Sequence, residues 1–447
     1  MEAFLHSTFP EMKTKTAVFW FRRDLRLLDN IGLYQSLSSK DPVLPIFIFD
    51  THILDQLPQN DARVTFIYDQ LVHIQQTLKK KYNSGLAVFH GDPHEVFTQL
   101  LDEYEVSAVY FNHDYEPYAV TRDKQIADLL QSKGILFSSY KDQVIFEKNE
   151  VVKDDGEPYV VYTPFMKRWR TIFNPSIHVT SFSSESLLSN LIQRTNLPFP
   201  SLAKIGFKRS KMAFPAFDVS SSLVDNYQKT RDFPGLKTGT SHVSPHLRFG
   251  TVSIRKMVQN AILSANDTFL KELIWREFFM QILWHYPHTT TRSFKPQYDR
   301  IIWRNDLQEF EKWKNGNTGY TMVDAGMREL NTTGLMHNRV RMLVASFLCK
   351  HLLIDWRWGE AYFAEKLLDY EMSSNVGNWQ WAAGSGVDAA PYFRIFNPIT
   401  QIEKFDKDRA YANLWVPEAK GAPTTDPIVD HKLARERCLA TYKAALS

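Results

Sequence analysis

The sequence predicts two fold classes in one chain of 447 residues. An α/β N-terminal domain on a parallel, Rossmann-like sheet comes first, and an all-α C-terminal domain follows. Three observations carry this. Short β-rich apolar runs alternate with amphipathic stretches over roughly the first 150 residues. Strand signals vanish after about residue 206. Nine of the eleven tryptophans then fall between Trp275 and Trp415, within segments of helical spacing.

The strands read as TAVFWF (16–21), PVLPIFIF (42–49), LAVFH (86–90), AVYFN (108–112) and GILFSSY (134–140). Arg63–Tyr82 and Val120–Ser132 read as intervening helices. Alternation of this kind requires right-handed crossovers and a parallel sheet, whose ligands lie beyond the carboxyl ends of the strands. Residues 171–205 are rich in Ser, Pro and Asn without a sustained period and read as surface linker. Phe269–His285, Tyr320–Asn331, Asn338–Leu353 and Gly359–Ser373 read as helices. The predicted organisation is an α/β domain over 14–140, an interdomain linker over 141–205 and a helical domain over 206–447.

Composition narrows the function. No run of 18 apolar residues predicts a membrane span, and MEAFLHSTFPEMKTKT lacks the pattern of a secretion signal. Two cysteines, Cys349 and Cys438, exclude a disulfide scaffold and a four-cysteine metal site. A reducing, intracellular compartment is expected. Net charge is −4 over residues 1–205 and +7 over residues 206–447, a modest hint of a polyanionic partner or simply a solvated surface.

No phosphate loop or HExxH motif occurs. A formal GxGxxA match at Gly384, Gly386 and Ala389 follows a helical segment rather than a strand, so it is not a dinucleotide fingerprint. The informative stretches are ELIWREFF (272–279), HNRVRM (337–342) and DYEMSSNVGNWQWAAGSGVDAAPYFRIFNP (369–398). Together they set carboxylates, arginines and indoles in one helical domain.

With FWFRRDLRLLDN (19–30), TSHVSPHLRFG (240–250), GYTMVDAGMREL (319–330) and GLMHNRVRM (334–342), these stretches resemble the photolyase/cryptochrome family, most of all the class I cyclobutane pyrimidine dimer photolyases. The resemblance runs over about residues 16–445. It implies FAD, reduced in the active state, in the helical domain. It implies light-driven repair of cyclobutane dimers in UV-damaged DNA by electron transfer to a flipped-out lesion. A monomeric, cytoplasmic protein is expected, nucleoid-associated in a bacterium, with no bound metal.

By the same resemblance, Tyr227 and the run Thr240, Ser241, His242, Val243 and Ser244 face the pyrophosphate, where hydroxyls and backbone N–H groups suit an anion or simply cap a helix. The family often has Arg where His242 stands. Asp369, Tyr370 and Glu371 fall beside the flavin and its ribityl chain, and Asn338 also belongs to this pocket. Arg341 pairs with Asp369 near the isoalloxazine. The Asn375 amide faces flavin N5, where plant cryptochromes carry an acid. Trp379, Trp356 and Trp303 match the electron-transfer chain, although spacing alone equally fits three core tryptophans.

Trp275 and Trp381 match the aromatic walls around the flipped dimer, with Met342 a soft contact and Phe279 beside them. Glu272 and Asn338 match the groups that hydrogen-bond the pyrimidine edges, Glu272 stabilising the dimer radical anion. Arg231, Arg276, Arg339 and Arg394, with Gln401, match the residues that grip phosphates. An antenna chromophore is expected near residues 112–123. Ala119 stands where folate-binding relatives carry Glu, which leaves deazaflavin, folate or another flavin open. The alternative reading is a cryptochrome-type blue-light receptor without repair, against which the expectation of no disordered signalling tail after the helical domain speaks. A (6-4) photolyase pocket would need histidines, and a dark flavin enzyme would need a separate small-substrate site.

Overall fold

The computed structural model describes residues 15–419 and 426–447. The first fourteen residues, read above for a secretion signal, lie outside that description, as do residues 420–425. The five apolar runs form β1 (Lys15–Phe21), β2 (Val43–Asp50), β3 (Ala87–Gly91), β4 (Glu105–Asn112) and β5 (Leu136–Tyr140). All pairings are parallel, in the order β3-β2-β1-β4-β5. β1 and β2 are buried almost throughout because helices cover both faces, and this is why their sequences read as apolar runs rather than as an alternation. Phe19 and Phe21 enter one of the two cores flanking the sheet, and Val18 and Trp20 enter the other.

The stretch expected as linker carries more structure than its composition suggests. Tyr162–Ile172 is a helix whose Phe165 and Trp169 are buried in the core that surrounds the Thr268–His285 helix. Glu277 of that helix pins the stretch: its carboxylate accepts from the N–H groups of Ile145 and Phe146 and from Trp169 Nε1.

Beyond residue 206 the regular elements among the described residues are all helices. Asn338–Leu353 is one helix with a changed ending: α-helical over Asn338–Ser346, then a π turn over Phe347–His351. Gly359–Ser373 differs from the expectation. The Trp356–Lys366 helix stops at Leu367, and a second helix begins at Met372. The cause is tertiary, because the Leu368 N–H donates to the carbonyl of Gly334 instead of to its own helix. Asp369 and Glu371 therefore sit in a tight connection, not on a helix face.

The loop after β1 joins the two halves. Leu25 N–H donates to Phe249 O, and the backbone of Arg23 and Asp24 runs so close to Gly250 that a Cβ there would stand 2.0 Å from Arg23 O. Gly250 also has φ +64°, so glycine is needed twice over. Arg26 and Arg255 meet at the buried Asp142 across the same seam. Among the described residues no helix is long and apolar enough to cross a membrane.

Candidate active site

Two helices present the same pattern to one cleft. Asn338, Arg341, Met342 and Ala345 recur at i, i+3, i+4 and i+7 along one face of Asn338–Ser346. Asn375, Asn378, Trp379 and Ala382 repeat that spacing on Met372–Ala383. Between them lies an open cleft, completed by Phe363, Leu367, Asp369, Glu371, Ser374 and Trp381. Eight of the expected residues thus share one lining: Asn338, Arg341, Met342, Asp369, Glu371, Asn375, Trp379 and Trp381.

The polar groups of the cleft are held from behind. Arg341 donates from its guanidinium to both oxygens of Asp369, at 3.1 and 3.0 Å. Ser244 Oγ donates to Asp369 at 2.7 Å, which ties the 240–244 run to the cleft. Asn375 spends its amide N–H groups on Glu360, at 2.8 Å to Oε1 and 3.0 Å to the backbone carbonyl, so its Oδ1 is left as the acceptor. Burial raises Glu360 above the usual carboxylate range.

Glu371 is anchored from both halves of the chain. Arg23, from the loop after β1, donates to its carboxylate at 2.5 Å, and Arg248 does so at 3.3 Å. Arg23 also reaches Asp114 and Glu116. Burial works to raise Glu371, but Arg23, then Arg248 and Arg276, hold it below its usual range.

A second group of expected residues lies apart from that lining. Glu272 forms an ion pair with Arg231, whose guanidinium lies 5.9 Å from the Tyr227 ring centre. Burial raises the Glu272 carboxyl despite Arg231. Trp275 stacks on Tyr162, with ring centres 3.6 Å apart and planes within 7°. Arg339 pairs with Asp232 at 2.6 Å. Thr240 is half-buried, Ser241 and Val243 are buried, and His242 is exposed with φ +50°. Arg394 is exposed on the loop before the Pro398–Phe405 helix, which carries the half-buried Gln401.

Two expectations fail on geometry. Arg276, expected on a phosphate, points inward: it donates to Gln143 O at 2.7 Å and lies 3.5 Å from Glu371. Phe279, expected at the lesion, is 5% exposed and packs in the core against Gly377. Their helix is buried on most of its circumference, so spacing could not separate its outward face.

Of the three expected relay tryptophans, Trp379 and Trp356 are buried in one core cluster and Trp303 packs half-exposed against it. Trp379 also meets Trp313 edge-on, with ring centres 6.2 Å apart. Tyr370 packs against the same cluster. Near the expected antenna region, Ala119 is buried, and the strand ends are filled by Arg22 and Arg122 lying over Trp20.

Glu360, Arg23, Arg248, Tyr162 and Asn378 were not singled out from the sequence. Only Asn378 carried a local signal, three residues beyond Asn375 on the same face. Among the described residues no cluster of three or more His, Cys, Asp or Glu side chains could hold a metal ion.

The residues of the cleft fit a flavin. An apolar and aromatic wall, asparagine amides on the lining and a guanidinium beside a carboxylate suit a flat, polar-edged ring. Comparison with known proteins agrees. Residues 17–182 match the DNA photolyase family, and residues 269–426 match the FAD binding domain of DNA photolyase. The deoxyribodipyrimidine photo-lyase of Halobacterium salinarum is 34% identical over 96% of this chain and 99% of its own. The crystal structure of a bacterial class III photolyase from Agrobacterium tumefaciens superposes with a TM-score of 0.86 at 33% identity, covering 98% of this chain and 99% of that one. A Synechocystis cryptochrome superposes with a TM-score of 0.83 at 25% identity, over 96% and 99% of the two chains. A sheet of five parallel strands, a helical FAD-binding region and 34% identity to a photolyase over nearly the full length thus converge, and the chain belongs to the DNA photolyase family.

Proposed function

We propose that the chain repairs cyclobutane pyrimidine dimers in DNA, driven by light. The observation that carries the choice of lesion is the cleft lining: Asn338 and Met342 stand on its helical wall, Trp381 stands opposite, and among the described residues no histidine lines it. A (6-4) lesion calls for histidine proton donors, whereas splitting a cyclobutane ring needs an electron and close apolar contact. FAD, when bound and reduced, supplies that electron under light.

The residues divide the remaining work. Arg341, Asp369, Tyr370, Glu371 and Asn375 hold the flavin. Asn375 Oδ1 offers an acceptor whose orientation is fixed by Glu360. Tyr227 and the 240–244 run take the pyrophosphate side, where hydroxyls and backbone N–H groups suit an anion. Met342 and Trp381 press on the flipped bases, while Trp275, braced by Tyr162, offers a second flat wall. Extruding a dimer costs little because its bases stack poorly. Asn338 and Glu272 hydrogen-bond the pyrimidine edges. Burial raises the Glu272 carboxyl against the pull of Arg231, with which it pairs. Arg231, Arg339 and Arg394 grip phosphates, with Gln401 beside them. Trp379, Trp356 and Trp303 pass electrons inward from the surface.

The test is repair itself. Purified, reduced protein is mixed with oligothymidine containing cyclobutane dimers and exposed to blue light. Recovery of thymine absorbance, absent in the dark and absent with a (6-4) substrate, is the expected result. No recovery from a protein that holds photoreducible FAD would favour the second reading, a light receptor, for which the likeness to a cryptochrome speaks.

A further inference from the structure

Lys350 is a buried charge that the reading above does not use. It is 1% exposed, and its charged and titratable neighbours are Cys438, Cys349, His351 and Arg394, none of them a carboxylate. Burying an ammonium without an anion is costly, so such a group calls for a reason. Its Nζ donates to the backbone carbonyl of Arg394 at 2.8 Å. The Arg394 side chain meanwhile is exposed, beside Phe393, which is 61% exposed.

The backbone explains how the lysine gets there. Lys350 lies in the π turn Phe347–His351, closed by the Leu352 N–H bond to Phe347 O. That turn continues the helix carrying Asn338, Arg341 and Met342. A π turn adds a residue to the helical circuit and re-aims the side chains after it, and such turns concentrate at functional sites. The loop has a second brace from the C-terminal helix His431–Leu446. Tyr442, fully buried, donates its hydroxyl to Ala383 O and stacks on Tyr392, with ring centres 5.8 Å apart.

We propose that Lys350 is a positioning residue for DNA binding, fixing the main chain at Arg394 so that the Arg394 guanidinium and Phe393 are presented to the nucleic acid. The proposal rests on the reading of Arg394 as a phosphate contact. It joins the flavin cleft to the DNA-facing loop through one continuous helix, with its N-terminal face on the cleft and its C-terminal turn under the loop.

Burial lowers the Lys350 ammonium to about 8, and Arg394 adds to the lowering. The titratable and charged groups facing it are Cys349 and His351 on its own turn, Cys438 on the C-terminal helix and Arg394 on the loop. The charge-assisted bond therefore weakens as pH rises through about 8.

The experiment measures binding of a dimer-containing oligothymidine to the FAD-loaded protein, as a function of salt and pH, for the native chain, Lys350→Met, Arg394→Ala and the double variant. Methionine fills similar space and removes an unpaired buried charge, so a merely structural lysine predicts unchanged affinity and an unchanged salt slope. A positioning lysine predicts about tenfold weaker binding in Lys350→Met at equal thermal midpoint. It also predicts a salt slope reduced by about one, as in Arg394→Ala, although Lys350 itself touches no solvent. The double variant should bind no worse than Arg394→Ala. Additive losses, or a retained salt slope in Lys350→Met, would overturn the proposal. Full affinity in Arg394→Ala would instead overturn the reading of Arg394 on which it rests. Should Lys350→Met fail to fold, the pH profile decides with the native chain and the surface variant alone. Affinity must fall through about pH 8 in the native chain and stay level in Arg394→Ala. A level native profile sinks the idea.

Discussion

Replacing Arg23 by methionine tests how far the helical domain depends on the sheet domain. Arg23 is buried among Asp114, Glu116 and Glu371, with hydrogen bonds of 3.1, 3.2 and 2.5 Å, and its Nε donates to Arg248 O at 3.3 Å. Arg248 and Arg276 also act on Glu371, and Arg22 and Arg122 act on Asp114. Removing Arg23 takes away the one side chain hydrogen-bonded to all three of these carboxylates. Arg248, already shared between Glu116 and Glu371, cannot reproduce the lost bonds. Breaking a buried charge network from one side costs about 3–5 kcal/mol, or two to nearly four powers of ten in the folding equilibrium. The assay is urea unfolding followed by tryptophan fluorescence, with FAD retention measured alongside. The pH dependence has a definite sign. Asp114 and Glu371 are both held below their usual range, so the stability they contribute is present at neutral pH and is lost as pH falls through their folded-state values. Glu116 runs the other way, since burial raises it, and it offsets part of this loss. The native chain should therefore exceed Arg23→Met strongly at neutral pH and by much less in acid. A neutral-pH difference below about 1 kcal/mol, the range of exposed pairs, would refute the reasoning. So would a difference that acid leaves unchanged.

Gly359→Ala should disturb Trp379 directly. The added Cβ would lie 2.1 Å from Trp379 Cη2 and 2.6 Å from Leu348 Cδ2, and overpacking of this kind costs about 1–3 kcal/mol. A native thermal midpoint together with native photoreduction would contradict this packing. Trp379→Phe should slow photoreduction sharply while sparing repair by pre-reduced protein, and equal loss of both would exclude a relay role. Burial lifts Glu277 to about 7, so its neutral form is favoured in the fold. The contribution of Glu277 to stability should then be fully present below the usual glutamate range and decline as pH rises through about 7. Glu277→Gln should flatten that slope, and it should also lower stability by about 1–3 kcal/mol by turning an amide N–H toward the donors of Ile145, Phe146 or Trp169. Urea midpoints across that pH range check both statements.

What the sequence showed and what it hid follow from the range of the forces involved. The five strands were legible because burial on both faces leaves continuous apolar runs, each visible within a few residues. The cleft walls were legible only through the family resemblance that singled out Asn338, Arg341 and Met342, and Asn375 and Trp379; each set then falls on a single helix face. The break after Lys366 was not, since it depends on a hydrogen bond from Leu368 to Gly334, which belongs to another helix end. The partners of the cleft acids were hidden for the same reason. Glu371 finds Arg23 across 348 positions of sequence, and Asn375 finds Glu360 on the neighbouring helix. Arg276 shows the converse. Its residue type suits phosphate, yet the carboxylate brought close by that distant pairing turns it inward. The motif residues thus name the chemistry of the cleft, whereas the orientation of its acids is set by the first loop of the sheet domain. A flavin domain cut away from that loop would keep the motif and lose the geometry.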